Sequence, residues 1–139
     1  MQQGAGLDIF AAAGLRHHGD QGKALLQDNP ELARERNPQG ETPLHWAAER
    51  GHLKTARLLL DSNANPAATD GIGATPLHRA IQDFTRGRNG DNLEMVETLL
   101  AHGAEVNFED YYGNTPLRWA RRSKDDEIVA LIRRHGGKL

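Results

Sequence analysis

A chain of 139 residues with 37% hydrophobic and 26% charged side chains suffices for one folded domain with a real core. Its formal net charge of −2 exerts no global pull toward nucleic acid or an anionic membrane, and the absence of cysteine excludes disulfides and thiolate chemistry. Residues 1–6 carry no basic segment, the apolar run over 9–13 is short for a signal sequence, and no stretch approaches the ~20 apolar residues of a membrane span. A soluble, cytoplasmic protein with no membrane partner is the expectation.

In chain order, residues 1–6 read as a loose tail. Ile9, Phe10 and the three alanines after them predict a first helix, and residues 23–27, with Leu25 and Leu26, a second. Asn37-Pro38-Gln39-Gly40 then predicts a tight turn, the Asx side chain tightening its start and the glycine supplying positive φ. Thr42 is a good N-cap, and Pro43 suits the first helical position, where its missing N–H costs nothing. Leu53, Ala56, Leu58, Leu59 and Leu60 fall at helical spacing, and Asn63-Ala64 marks the end of that helix.

The same order recurs twice. Asp70-Gly71-Ile72-Gly73 precedes Thr75-Pro76, followed by Leu93, Met95, Val96, Leu99 and Leu100, with Gly103-Ala104 at the end. Asp110-Tyr111-Tyr112-Gly113 precedes Thr115-Pro116, followed by Ile128, Val129, Leu131 and Ile132, with Gly136-Gly137 at the end. Thr-Pro-Leu thus opens a helix at 42, 75 and 115. The first spacing is 33 residues and the second 40, which places an insertion within 82–92.

The blocks Thr42-Pro43-Leu44-His45-Trp46-Ala47, Thr75-Pro76-Leu77-His78-Arg79-Ala80 and Thr115-Pro116-Leu117-Arg118-Trp119-Ala120 resemble the ankyrin repeat family, whose signature is T-P-L-H-x-A at a period of about 33. The resemblance implies an all-α repeat solenoid of paired antiparallel helices joined by hairpin-like turns. Four units follow, near 7–36, 37–69, 70–109 (with the inserted loop near 82–92) and 110–139, the first without the Thr-Pro-Leu opening. It also implies that His45 and His78 tie adjacent turns together, a tie lost at Arg118. Arg121 and Arg133 stand where inner units carry apolar residues, as a polar terminal cap requires.

Nothing in the chain spells chemistry. His17-His18-Gly19-Asp20 is the only dense group of ligand types, and adjacent histidines rarely converge on one metal. Gly71-Ile72-Gly73 lacks the rest of a phosphate loop, and Ser62 and Ser123 sit in no nucleophile pattern. No catalytic, cofactor or metal residue is therefore expected, and no enzyme. The family mostly binds other proteins. Carried over residue by residue, its concave surface implies turn-tip contacts at Pro38, Gln39, Glu41, Ile72, Ala74, Tyr111, Tyr112 and Asn114. First-helix contacts would come from Trp46, Glu49, Arg50, Arg79, Gln82, Asp83, Trp119, Arg122 and Ser123, with Phe84 in the insertion.

Tyr111 and Tyr112 lead this set, because nothing in the repeat requires an aromatic at a turn tip and tyrosine dominates interface hot spots. Trp46 and Trp119 read more as half-buried core. The expected function is non-catalytic binding of another protein, as an inhibitor, immunity-type or stabilising partner, by a chain that is monomeric when unbound. Nucleic acid is not the expected partner. The alternatives are nucleic-acid binding through the basic C-terminal unit, where Arg118, Arg121, Arg122, Arg133 and Arg134 cluster, or self-association.

Overall fold

A computed structural model describes residues 9–10, 19–81, 91–123 and 126–139. Among the described residues it holds seven α-helices and no strand: α1 (Gly19–Asp28), α2 (Pro43–Arg50), α3 (Leu53–Asp61), α4 (Pro76–Ile81), α5 (Asp91–Ala101), α6 (Pro116–Ser123) and α7 (Asp126–Arg134). A 3-10 turn, Pro30–Arg34, follows α1. Helix α2 pairs with α3, α4 with α5, and α6 with α7. The first helices stack in the order α2, α4, α6, and the second helices in the order α1, α3, α5, α7.

Each pair begins as the sequence dictates. The Thr42 side chain accepts the His45 N–H while the His45 side chain takes the Thr42 N–H, a reciprocal cap that satisfies two donors the helix leaves open. Gly51 closes α2 in the left-handed region at φ 71°. Leu44, Leu59, Leu77, Met95, Leu99, Ile128, Leu131 and Ile132 are fully buried along the stack. Ala47, Ala48, Ala80 and Ala120 are buried on the first helices, where small side chains let neighbouring helices approach closely. Ile9, Leu26 and Ala33 continue the core into the N-terminal part.

The turn segments are hydrogen-bonded within and between units. Asp70 N donates to the Ala74 carbonyl and Asp110 N to the Asn114 carbonyl, each at 3.0 Å. Between units, Gly71 N donates to the Gln39 carbonyl and Tyr111 N to the Ile72 carbonyl, each at 2.9 Å. Three turn tips are thereby fixed in a row. At the far end, Asn107 donates to the Gly136 carbonyl and accepts from Lys138 N, fastening the last residues to the preceding unit.

Helix α5 begins at Asp91, at the end of the window of 82–92 in which the spacing places the insertion. Asp91 and Asn92 are helical, while residues 82–90 lie outside the described residues, as do residues 1–6 of the expected tail. Helix α1 likewise begins at Gly19, ahead of the predicted 23–27.

Gly73 shows how tightly the tips stack. It has φ +80°, and a Cβ there would lie 2.5 Å from Tyr111 Cδ1 and 2.7 Å from the Tyr111 nitrogen. Gly103, at φ +95°, has open space around it. Gly103→Ala is expected to cost about 1 kcal/mol of unfolding free energy, the left-handed penalty alone. Gly73→Ala is expected to cost about 2–3 kcal/mol, because the clash adds to that penalty. Urea unfolding of the two variants side by side checks this, and equal losses would contradict the stacked-tip geometry.

Candidate protein-binding surface

Each tip is built around one acidic or amide side chain. Asp70 Oδ1 accepts the N–H groups of Ile72 and Ala74, each at 3.0 Å. Asp110 Oδ1 accepts those of Tyr112 and Asn114, each at 2.9 Å. Asn37 Oδ1 accepts those of Gln39 at 3.0 Å and Glu41 at 2.9 Å. An Asx side chain that satisfies two turn N–H groups holds the loop in one shape without help from a ligand.

The second polar atom of the same side chain reaches the first helix. Asp70 Oδ2 accepts from Arg79 Nε at 2.9 Å and also from Nη2. Asp110 Oδ2 accepts the Trp119 indole N–H at 3.0 Å. Asn37 offers only a donor here, its Nδ2, and the indole N–H of Trp46 is a donor too. Glu41 resolves the conflict, its Oε1 accepting from Asn37 Nδ2 at 2.8 Å and from Trp46 Nε1 at 2.9 Å. Positions 46, 79 and 119 therefore share one task, a long donor clamping the tip to its helix. The signal available in the sequence was the nine-residue spacing from Asx to Trp or Arg, which periodicity alone does not bring out.

The histidine ties form as the resemblance implied. His45 Nδ1 accepts the Thr42 N–H at 3.1 Å, so the other ring nitrogen carries the proton and donates to the Ala74 carbonyl at 2.8 Å. His78 repeats this with Thr75 N at 3.2 Å and the Asn114 carbonyl at 3.0 Å. Burial pushes both rings below the ordinary 6.5, outweighing the carbonyl bonds that favour the charged form. Burial pulls the Asp70 and Asp110 carboxyls up, yet both end below 3.8. For Asp70 the Arg79 bond and the two turn N–H groups prevail, and for Asp110 the Asn114 N–H, the Trp119 indole and the Tyr112 N–H do. Arg118 keeps only the backbone cap to Thr115 Oγ1 at 3.3 Å, and its side chain is exposed.

The candidate contact residues separate on this geometry. Tyr111 and Tyr112 are 72% and 75% exposed on one tip. The Tyr111 ring lies close over Gly73 of the tip before it. Pro38, Gln39 and Arg122 are exposed, and Ile72, Glu49 and Asn114 half-buried. Trp46 is half-buried, edge-on to Phe10 at 5.5 Å with the Arg50 guanidinium 4.6 Å from its ring centre. Trp119 is half-buried and edge-on to His78 at 5.1 Å. Two expectations need correcting. Ala74 is fully buried, because the turn N–H and carbonyl on either side of it are drawn into the Asp70 and His45 bonds. Arg79, expected as a first-helix contact, has its guanidinium gripped by buried Asp70. Gln82, Asp83 and Phe84 lie outside the described residues, as do His17 and His18, and the Ser123 side chain is not described.

Turn, capped helix and antiparallel helix thus recur with the same bonds at the same register. A family model for ankyrin repeats in three copies matches residues 9–110 and 73–138. The chain belongs to the ankyrin repeat family. It is 32% identical over 117 residues to transient receptor potential cation channel subfamily A member 1 of Homo sapiens, covering 84% of this chain and 10% of that one. It is 35% identical over 98 residues to a protein of Rickettsia bellii (strain RML369-C) named for ankyrin repeats, covering 66% and 38%. It is 33% identical over 100 residues to Rabankyrin-5 of Mus musculus, covering 70% and 8%. The chain spans well under half the length of each of these relatives.

Ankyrin repeats are generally protein–protein interaction modules, and the family is generally non-enzymatic. Among the described residues, no helix of this ankyrin array is long and apolar enough to cross a membrane. No group of three or more His, Asp or Glu among them is placed to hold a metal ion. Among the described residues the buried titratable side chains are His45 and His78, which tie one ankyrin tip to the next, and Asp70 and Asp110, which brace their own tip and clamp it to its first helix.

Proposed function

We propose that the chain is a non-catalytic binding module that engages another protein through its turn tips, centred on Tyr112 and Tyr111. The observation that carries this reading is the exposure of two adjacent tyrosines, 72% and 75%, on a tip whose backbone is already fixed by Asp110. Large, amphipathic side chains on a preorganised loop lose little entropy on binding, which is where interface affinity concentrates. Ile72, Gln39 and Pro38 extend the same row, and Arg122 adds a charged donor on the first-helix side. Within this reading the role is that of an inhibitory, immunity-type or stabilising partner that covers a surface of the other protein. Fixed tips support it, because they present one shape before and after contact.

The test is the purified chain as bait in lysate of its source, followed by titration of the captured protein against wild type and a Tyr111→Ala/Tyr112→Ala variant. One stoichiometric protein is expected, with affinity at least about 30-fold weaker for the folded variant, as loss of a hot spot of 2 kcal/mol or more implies. Equal affinity for both would remove the tip from the interface. Capture of nucleic acid with a steep salt dependence would instead favour the exposed arginines of the C-terminal unit.

A further inference from the structure

We propose that a polar cavity between the 3-10 turn and the end of α3 is a binding site for a phosphate monoester. The cavity has a volume of about 530 Å³, and its lining includes Arg34, Arg36, Asn63, Asn65, Pro66 and His102. Among the described residues no Asp or Glu lines it. Arg34 closes the 3-10 turn and Arg36 follows the extended Glu35. Both arginines line the cavity, and Glu35 between them is not among its lining residues.

The two arginines are anchored without being neutralised. Arg34 Nε donates to the Asn63 carbonyl at 3.2 Å. Arg36 Nη1 donates to the Gly40 carbonyl at 2.9 Å and the Thr69 carbonyl at 2.7 Å. All of these acceptors are uncharged backbone groups. Among the described residues, neither guanidinium has a carboxylate partner, and both terminal nitrogens of Arg34, with Nε and Nη2 of Arg36, have no hydrogen bond. Asn65 spends its carbonyl oxygen on Ala67 N and keeps its amide N–H₂ unspent. His102 donates Nδ1–H to the Thr98 carbonyl at 2.8 Å.

Fixed, unspent donors with positive charge and no competing acid describe a receptor for an oxyanion. Guanidinium forks held in place match phosphate oxygens with little further loss of freedom. The volume lies within the roughly 300–1,000 Å³ of small-ligand sites, larger than a bare ion needs, and it leaves room for the group esterified to the phosphate. None of the lining residues is a tip tyrosine, so the site stands or falls independently of the tip surface.

The test is a ¹H–¹⁵N NMR titration of the whole chain with inorganic phosphate and with O-phosphoserine, ionic strength being held constant with sodium chloride. The expected result is saturable shifts confined to residues 34–36, 63–65 and 102, tighter for the monoester, with affinity about tenfold lower in Arg34→Gln, as one lost charge-assisted contact implies. Arg34→Lys, which keeps the charge and loses the fork, is expected to fall between. Inositol trisphosphate distinguishes the source of the phosphate, since tighter binding of it than of phosphoserine would assign the site to a lipid headgroup. Shifts that do not saturate, that spread over the arginines of α6 and α7, or that persist unchanged in folded Arg34→Gln would overturn the proposal. The wild-type shift map decides the matter even where a variant fails to fold.

Discussion

Asp70→Ala is expected to lower the unfolding free energy by about 3–5 kcal/mol, because it removes one member of a buried ion pair and two turn hydrogen bonds at once. Asp70 is 4% exposed. Its Oδ1 holds the Ile72 and Ala74 N–H groups, and its Oδ2 holds the Arg79 guanidinium. Ala74 is fully buried, so its N–H is left without an acceptor. Asp110→Ala is expected to cost less, about 1–3 kcal/mol, since the group it abandons is the neutral indole N–H of Trp119.

Asp70→Asn separates charge from shape. The amide keeps Oδ1 for the two turn N–H groups, but it turns a donor toward the Arg79 guanidinium. The first tip carries that same amide at Asn37 and tolerates it, because Glu41 accepts from both Asn37 and Trp46. The residue at the register of Glu41 in the next tip is Ala74, which has no acceptor to lend. Asp70→Asn is therefore expected to destabilise by more than Asp110→Ala, despite being nearly isosteric. Urea unfolding midpoints at neutral pH, converted with a common slope, give the ranking. A near-neutral Asp70→Asn would show that Arg79 contributes nothing through its charge.

The parts of this architecture that were legible in the sequence are those written within a few residues of one another. Thr42 followed by Pro43 and His45 specifies a helix start locally, and the repetition of that block fixes the solenoid. Gly103 and Gly136 mark helix ends for the same local reason. What stayed hidden depends on contacts a full repeat away. Ala74 is buried because His45, 29 residues earlier, draws its carbonyl into a bond. Arg79 looks like an outward charge until Asp70 closes over it. Trp46 and Trp119 are half-buried, as their position in the repeat suggests, but their shared role as tip clamps shows only when indole and acceptor are seen together. The cavity beside Arg34 and Arg36 is not legible in the sequence, because an Arg-Glu-Arg triplet reads as mixed surface charge. The cavity's other walls, Asn63, Asn65 and His102, come from the two units that follow.

Acidification from pH 7 toward pH 5 is expected to weaken the fold steeply, well before the carboxylates titrate. His45 and His78 have no exposed surface, and burial holds both below the 6.5 of an open ring. The unfolded chain gains protons as pH falls through 6.5 while the folded chain does not, so the unfolded state binds more protons and stability drops with falling pH. Each ring contributes a slope of up to about 1.4 kcal/mol per pH unit, and the two together up to about 2.7, until the folded-state values are reached. Asp70 and Asp110 act in the same direction but later, because their folded values lie below 3.8 and their contribution is lost only as pH falls below that. Protonation also gives Nδ1 a hydrogen where Thr42 N or Thr75 N already donates, so a charged ring breaks the helix cap and the tie between tips together. In His78→Gln the slope below pH 6.5 is expected to halve, although the variant starts less stable. Urea midpoints at half-unit steps of pH measure both slopes. An unchanged slope in His78→Gln would mean that other groups carry the acid sensitivity. The terminal unit, with exposed Arg118 at this register, has no buried ring to lose its proton balance, so unfolding driven by acid should begin in the two units that carry His45 and His78.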